Sequence, residues 1–125
     1  MKVLLSIKPE FANKIFTGEK KFEFRRTIFK SDNIKSVIVY ASSPMQKVIG
    51  EFEIEEILNE ELDSLWKKTK DFAGIHEDYF YQYFCDKQKG FAIKIKKAKR
   101  YKQPLCIKKD FKILPPQSFA YINKY

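Results

Sequence analysis

The chain has 125 residues, 44% hydrophobic and 16% aromatic, which is enough for one folded domain whose core needs neither disulfides nor metal. Its 25 lysines and arginines exceed its 16 acids and give a net charge of +9, which favours a polyanionic partner, nucleic acid before a membrane surface. One histidine, two distant cysteines and the lack of any apolar run of roughly 18 residues argue against a metal site, a disulfide framework and a membrane helix. We therefore expect a cytoplasmic protein with reduced thiols, no cofactor and no signal peptide.

The first predicted elements are a strand and a helix. VLLSIK, residues 3–8, is an apolar run that stops at Pro9. Proline suits the first position of a helix, and the spacing of apolar residues in EFANKIFTG predicts a helix that Gly18 ends in a left-handed cap. The residues after Gly18 are therefore expected at the rim of the fold.

The next predicted strand is the charged stretch GEKKFEFRR, residues 18–26. Because a strand alternates its faces, Phe22 and Phe24 point to one side. The other side then carries a cation, a carboxylate and a cation: Lys21, Glu23 and Arg25. This row is either a solvated face, worth about 0–1 kcal/mol per ion pair, or a binding site.

Three further strands are predicted in the middle of the chain. KSVIVYAS, residues 35–42, is a β-branched run typical of a central strand, and the loop Ser42-Ser43-Pro44 follows it. Residues 47–58 place glutamates on their outer face, whereas residues 91–102 place lysines there. Opposite signs on two outer faces predict that these strands pair, with each opposed pair contributing roughly 0.2–1 kcal/mol.

Two helices are predicted between these strands. The first carries Leu62, Leu65, Trp66, Thr69 and Phe72 at helical spacing and ends at Gly74; the second carries the aromatic run YFYQYF, residues 79–84. Such aromatic stripes are more often core than a surface for stacking bases, so we assign them to the core. After a Pro-Pro break, the C-terminal stretch is expected to return to the sheet.

The elements together predict an α+β fold, a small mixed barrel of five to six strands with helical insertions, as one domain over residues 1–125.

Several catalytic signatures are missing from the sequence. It contains no GxxxxGK[ST], no GxGxxG and no HExxH, so it gives no support for a P-loop nucleotide hydrolase, a dinucleotide-binding enzyme or a zinc protease. A cysteine–histidine nucleophile would need Cys85 or Cys106 to meet His76, and neither spacing favours it.

The opening segment LLSIKPEFANKIFTGEKKFEFRR resembles the ASCH family of PUA-like β-barrels. The family pattern GxKxxExR is met without gaps by Gly18, Lys20, Glu23 and Arg25. The similarity continues in LSIKP, YASSP, GEFE, LWKKT and PPQSF, and it covers essentially the whole chain. The resemblance implies a stand-alone PUA-like pseudo-barrel with a cleft, lined by cations, that binds RNA or a nucleotide.

The resemblance also implies a set of site residues. Arg25 offers a planar fork for a phosphate or a base edge, Lys20 a mobile charge at the mouth, and Glu23 an acceptor for the amino edge of a base. The candidate ligand-binding residues are Lys8, Lys20, Glu23, Arg25, Arg26, Ser42, Ser43, Gln117 and Ser118. Lys20 and Glu23 are also the candidates for an acid–base pair.

Three functions remain open beside simple binding. ASCH-like amidohydrolases of acetylated cytidine carry a threonine nucleophile where this chain has Glu23, and Thr27 lies four residues out of register. Lys20 and Glu23 could instead cleave RNA through the ribose 2′-hydroxyl. The third possibility is an interaction module that regulates transcription or translation.

Overall fold

The computed structural model describes residues 1–30 and 33–123. Within them, six strands form one sheet: β1 (Lys2–Ile7), β2 (Phe22–Arg25), β3 (Ser36–Ala41), β4 (Lys47–Glu61), β5 (Lys89–Leu105) and β6 (Phe119–Ile122). Three α-helices connect them: α1 (Pro9–Thr17), α2 (Leu62–Thr69) and α3 (Glu77–Tyr83). The order across the sheet is β2-β5-β4-β3-β1-β6.

The sheet is mixed because two of its inner strands run in parallel. β1 pairs with β3 in parallel, whereas every other neighbouring pair is antiparallel. Val37, Ile38 and Val39 of β3 are fully buried, as the β-branched run predicted for a central strand. The predicted α+β class and the six-stranded mixed sheet are therefore confirmed.

Both faces of these inner strands are covered. On one face, Val3, Leu5 and Val39 pack with Ala12 and Ile15 of α1 in the main core. On the other, Leu4 and Ile38 pack with Ile107 in a smaller core, under a π-helical turn over Ile107–Phe111. This turn was not predicted from the sequence.

Helix α1 begins and ends where its sequence predicted. Pro9 occupies the first turn, where a missing N–H costs nothing. Gly18 ends the helix at φ 87°, a left-handed conformation that glycine adopts without strain, and its N–H reaches the Ile15 carbonyl. The chain then turns directly into the segment that carries Lys20, Glu23 and Arg25.

Strands β4 and β5 form a long antiparallel pair, as their opposite charges predicted. The register sets Glu51 opposite Lys99 and Glu53 opposite Lys97. Irregularities on both sides of Ile54 shift the register, and Lys94 makes an ion pair of 3.0 Å with Glu55. Both strands extend beyond their predicted ends, and α2 and α3 lie in the connection between them.

The helical connection departs from its prediction at Phe72. Helix α2 ends at Thr69, and a tighter 3₁₀ turn over Lys70–Phe72 follows. The change of helical period turns Phe72 away from the face of Leu65, and the Phe72 side chain is 47% exposed. Trp66 packs against Phe80 at 5.0 Å between ring centroids, so this part of the aromatic stripe is core, as predicted.

The C-terminal stretch returns to the sheet, as predicted. β6 pairs antiparallel with β1 and sets Leu4 opposite Ala120. It forms one edge of the sheet and β2 forms the other. None of the described helices is both long and apolar enough to cross a lipid bilayer.

Candidate functional site

A cleft of about 500 Å³ lies where the end of β1, the start of α1, β2 and α3 meet. Such a volume is typical of sites for small molecules, which occupy about 300–1,000 Å³. Seven of the nine predicted ligand-binding residues line it: Lys8, Lys20, Glu23, Arg25, Ser42, Ser43 and Gln117. Residues more than 100 positions apart in the chain therefore come together here.

The other two predicted residues, Arg26 and Ser118, do not line the cleft. The Arg26 guanidinium donates to the backbone carbonyls of Tyr83 at 2.8 Å and Cys85 at 2.7 Å, at the end of α3. Arg26 is therefore not the rim cation that its place in the sequence suggested. Ser118 lies directly behind Arg25, and its Oγ accepts a hydrogen bond of 2.8 Å from Arg25 Nη2.

Arg25 joins the two edges of the sheet. From β2, its Nη1 donates to the Ser6 carbonyl of β1 at 3.3 Å and to Glu23 Oε2 at 3.2 Å. Its Nη2 donates to the carbonyl of Ser118, just before β6, at 3.1 Å. Only 8% of Arg25 is exposed. The expectation of a free fork for phosphate is therefore wrong, because protein acceptors already occupy both terminal nitrogens of the guanidinium.

Glu23 presents one carboxylate oxygen to the cleft. It is buried, with 6% exposed, and its Oε2 accepts from Arg25. No described residue donates to Oε1, and the described chain contains no fully buried side-chain oxygen that lacks a partner. Oε1 is therefore reachable from the cleft, where it can accept a hydrogen bond from a ligand.

Lys20 lies at the base of the cleft rather than at its mouth. It is 2% exposed, and its Nζ donates to the Ala73 carbonyl at 2.8 Å. The ammonium lies 4.8 Å from the ring centroid of Phe24 and 5.4 Å from that of Phe11. Burial lowers the pKa of Lys20 to about 8, although the nearby Glu23 carboxylate acts in the opposite direction. The predicted mobile rim charge is instead a fixed, desolvated amine.

Gly74 makes room for the buried Lys20 side chain. A Cβ at this position would lie 2.6 Å from Lys20 Cβ, and the φ of +69° is unfavourable for any other residue. The sequence predicted Gly74 as a helix end only. Its close approach to Lys20 depends on a contact between segments more than fifty residues apart.

Aromatic side chains form one wall of the cleft. The rings of Tyr79 and Tyr83 are stacked at 6.3 Å with an interplanar angle of 8°, and Phe11 meets Tyr79 edge-on at 5.2 Å. Lys8, which is exposed, places its Nζ 5.4 Å from the Tyr79 centroid. From the sequence, these tyrosines were expected in the core. Their spacing of four on a helix, which puts both on one face, was the available signal.

Further residues that the sequence did not single out complete the lining. They are Ser6, Tyr40, Gln46, Ile75, Pro115 and Pro116. Thr27 is exposed and does not line the cleft, so it cannot act as a nucleophile there. His76, Cys85 and Cys106 are likewise not among the lining residues. Among the described residues, no group of three or more potential metal ligands comes together.

Comparison with known proteins gives the class of the chain. The ASCH domain family matches residues 5–105, a span that includes both the charged stretch of β2 and the long pair of strands β4 and β5. The chain belongs to the ASCH family, as its GxKxxExR pattern indicated.

Its relatives and structural neighbours include a protein of Zymomonas mobilis. A protein named ASCH domain-containing ribonuclease from that organism is 30% identical over an alignment of 130 positions. The alignment covers 97% of this chain and 84% of the relative. The crystal structure of ASCH from Zymomonas mobilis has a TM-score of 0.90 at 28% identity, covering 98% of this chain and 88% of that one. Two single-residue variants of that protein give TM-scores of 0.90 and 0.89.

A second group of relatives is much longer than this chain. The large ribosomal subunit protein uL22 of Ureaplasma parvum is 29% identical over 122 residues, which cover 97% of this chain. The chain spans only 39% of the length of that protein.

Proposed function

We propose that the cleft binds one nucleotide unit of RNA, with the base against the aromatic wall. The observation that carries this proposal is the open oxygen of Glu23 in the same cavity of about 500 Å³ that the ring of Tyr79 lines. A flat base stacks on an aromatic ring, with about 1–3 kcal/mol per base, while a fixed carboxylate accepts from its amino edge. Arg25 serves here as a positioning residue, because it holds Glu23.

The phosphate of the nucleotide is assigned to the mouth of the cleft. Lys8 is the exposed cation among the predicted site residues, since Lys20 and Arg25 are buried and Arg26 is bound to backbone carbonyls. The hydroxyls and amides around the mouth provide further donors: Ser42, Ser43, Gln46 and Gln117. Binding through a single cation at the mouth favours a nucleotide or a single strand over a duplex.

The relatives support RNA as the ligand. The Zymomonas protein carries the name of a ribonuclease, and it aligns with 97% of this chain. An RNA-related function agrees with the family match, with the name of this relative and with the chemistry of the cleft. The amidohydrolase alternative receives no such support, because Thr27 does not reach the cleft.

Binding is tested by replacing the carboxylate. We expect Glu23→Gln to weaken the binding of labelled single-stranded RNA by about 1–3 kcal/mol, because a base-reading acceptor is lost. Simple charge attraction predicts the opposite sign, since the variant is more positive. Fluorescence anisotropy at two salt concentrations measures the RNA affinity of the variant and of the unmodified protein, with DNA and modified nucleosides as competitors.

The matched control for this experiment is Glu61→Gln, which removes the same charge from an exposed position that does not line the cleft. If both variants bind RNA more tightly and by similar amounts, Glu23 does not read a base and the proposed binding mode is wrong.

A second candidate is cleavage of the bound RNA, which is favoured by the depressed pKa of Lys20, about 8, in the same cleft as Glu23. A neutral amine can remove the proton of the ribose 2′-hydroxyl. The 2′-oxygen then attacks phosphorus, the bond to the 5′-oxygen breaks, and the proton that Lys20 has taken up is transferred to that oxygen. The products are a 2′,3′-cyclic phosphate and a 5′-hydroxyl. An RNA with one 2′-deoxy residue must then resist cleavage at that linkage, and cleavage there would contradict this candidate.

A further inference from the structure

A second concave surface of about 610 Å³ lies on the other side of Lys20 from the cleft. It runs between the start of β2, the end of α2 and the middle of β5. Lys20 lines both concavities, so one buried side chain separates them. We call this surface the basic groove, and its cations beyond Lys20 are Lys21, Lys68, Lys94, Lys96 and Lys97.

Part of the charge in the basic groove is neutralised by neighbouring carboxylates. Lys68 Nζ lies 2.7 Å from Glu60, and Lys94 Nζ lies 3.0 Å from Glu55. Asp71 also lines the groove. These three carboxylates are fewer than the six lysines of the groove, so the groove keeps a net positive charge.

Three lysines remain available. Lys21, Lys96 and Lys97 are exposed, and within residues 1–30 and 33–123 none of them has a carboxylate oxygen within 4.0 Å. An exposed cation that forms no ion pair in the protein remains able to attract an external anion, and salt screens this attraction. The basic groove therefore presents three such charges around one concavity.

An exposed aromatic ring lies among these charges. Phe72 is 47% exposed, and the Lys21 ammonium lies 4.3 Å from the centroid of its ring. The 3₁₀ turn over Lys70–Phe72 holds the ring out of the core. Aromatic rings beside a track of cations are the usual means of binding a single nucleic-acid strand, because bases stack on the rings while phosphates meet the cations.

The excess of positive charge lies in one segment of the sequence, and part of that segment lines the groove. Residues 87–112 contain eleven of the 25 cations and one of the 16 acids, a net +10, so the other residues carry 14 cations and 15 acids, a net −1. Strand β5, which supplies Lys94, Lys96 and Lys97 to the groove, lies within this segment. Three of the eleven cations of this segment thus line the groove, and the other eight do not.

We propose that the basic groove binds the phosphodiester backbone of the single-stranded RNA whose nucleotide enters the cleft. This inference rests on the proposed function, and it adds a second site on the opposite side of Lys20. Lys21, Lys96 and Lys97 contact phosphates, and Phe72 stacks with one base. The cleft selects a nucleotide, and the basic groove retains the strand.

The test compares a short ligand with a long one. The triple variant Lys21→Gln/Lys96→Gln/Lys97→Gln is titrated with a mononucleotide and with a single-stranded RNA of about ten nucleotides, a length within the usual range for one strand-binding domain. We expect unchanged affinity for the mononucleotide and a loss on the order of 30-fold for the RNA near physiological salt.

The matched control removes three exposed lysines that line neither concavity, in the variant Lys87→Gln/Lys102→Gln/Lys109→Gln. Equal losses in the two triple variants would overturn the groove, because net charge alone would explain them. No loss in the groove variant would also overturn it. Failure of the mononucleotide to bind, with the RNA still sensitive to the groove variant, would overturn the cleft proposal and leave the groove.

The aromatic contact has its own variant. Phe72→Ala should weaken RNA binding about tenfold, the effect of one lost base stack, without changing the affinity for the mononucleotide. Leu114→Ala is the control, since Leu114 is an apolar side chain that is 75% exposed and lines neither concavity. Unchanged RNA affinity in Phe72→Ala would show that no base stacks there.

An acidic peptide that displaced the RNA from the groove at equal affinity would assign the surface to an acidic protein instead.

Discussion

Lys20 is the most deeply buried charged side chain of the described residues, with 2% exposed. A buried amine is costly when it is protonated, and one hydrogen bond to Ala73 and two ring faces offset only part of that cost. The protein thereby keeps, next to Glu23, an amine that loses its proton within reach of neutral pH.

This burial predicts a pH dependence of stability. The pKa of Lys20 is about 8 in the folded protein, against 10.5 for an unperturbed lysine, so above pH 8 the unfolded chain binds a proton that the folded chain does not. The free energy of unfolding should therefore rise as the pH rises from about 8 toward 10, by an amount on the order of 2 kcal/mol. Urea denaturation at several pH values measures it.

The variant Lys20→Met separates this effect from other titrations. It keeps much of the length of the side chain and removes the titrating group, so the rise between pH 8 and 10 should be smaller than in the unmodified protein. Parallel stability curves for the two proteins would show that Lys20 does not titrate in this range.

The sequence predicted the types of the site residues better than their environments. Alternation placed Glu23 and Arg25 on one face of β2, and the structure confirms that their side chains meet at 3.2 Å. The sequence could not predict that Glu23 and Arg25 are buried, because the groups that cover them come from Ser6 and from Ser118. Ser118 is 93 residues from Arg25. A local pattern carries no information on such distant partners.

At the scale of elements, Arg25 acts as a clamp between β2 and the start of β6. It is hydrogen-bonded to the carboxylate of Glu23 and to the carbonyls of Ser6 and Ser118. Strands at the edges of a sheet are free to fray unless side chains hold them. The guanidinium thus links the two edges that border the cleft, in addition to the hydrogen bonds from Ser6 to Pro116 and Ser118.

Arg25→Ala should lower the free energy of unfolding by about 3–5 kcal/mol, because it leaves the buried Glu23 carboxylate without its partner. The amides of Phe119–Ile122 should also exchange faster with solvent. Chemical denaturation and hydrogen exchange measure the two effects. The control is Lys68→Ala, which breaks an ion pair whose lysine side chain is 57% exposed and should cost at most about 1 kcal/mol. Equal costs in the two variants would contradict the clamp.

The elements themselves could largely be predicted from the sequence. Helix α1 ends at Gly18, and the opposite charges on β4 and β5 face each other, because caps and cross-strand charges are local or pairwise signals. The predicted end of α2 was wrong: helical spacing continues to Phe72, but the chain tightens into a 3₁₀ turn after Thr69. The π-helical turn over Ile107–Phe111 was missed because it is fixed by the apolar face that it covers.

At the scale of the whole molecule, the +9 charge is unevenly placed, and this predicts how RNA affinity responds to salt. Only Lys8 is assigned to a phosphate at the cleft, whereas Lys21, Lys96 and Lys97 are assigned to phosphates at the basic groove. With a slope of about 0.7 per contact on a single strand, log affinity should fall with log salt at a slope of about −0.7 for a mononucleotide and about −3 for a longer RNA. Titrations from low to moderate salt measure both slopes, and equal slopes for the two ligands would contradict the division of charge.

One wall of the cleft comes from the segment just before β6, and this has a consequence for the newly synthesised chain. Ser6 Oγ donates to the Pro116 carbonyl at 2.6 Å, and the Ser6 N–H donates to the Ser118 carbonyl at 3.1 Å. A ribosome makes β1 more than a hundred residues before it makes these partners. While β1, α1 and β2 emerge, Arg25 has neither of its Ser118 acceptors and the cleft lacks a side. The binding that we propose for the cleft therefore requires that residues 115–118 have been synthesised and have packed against β1.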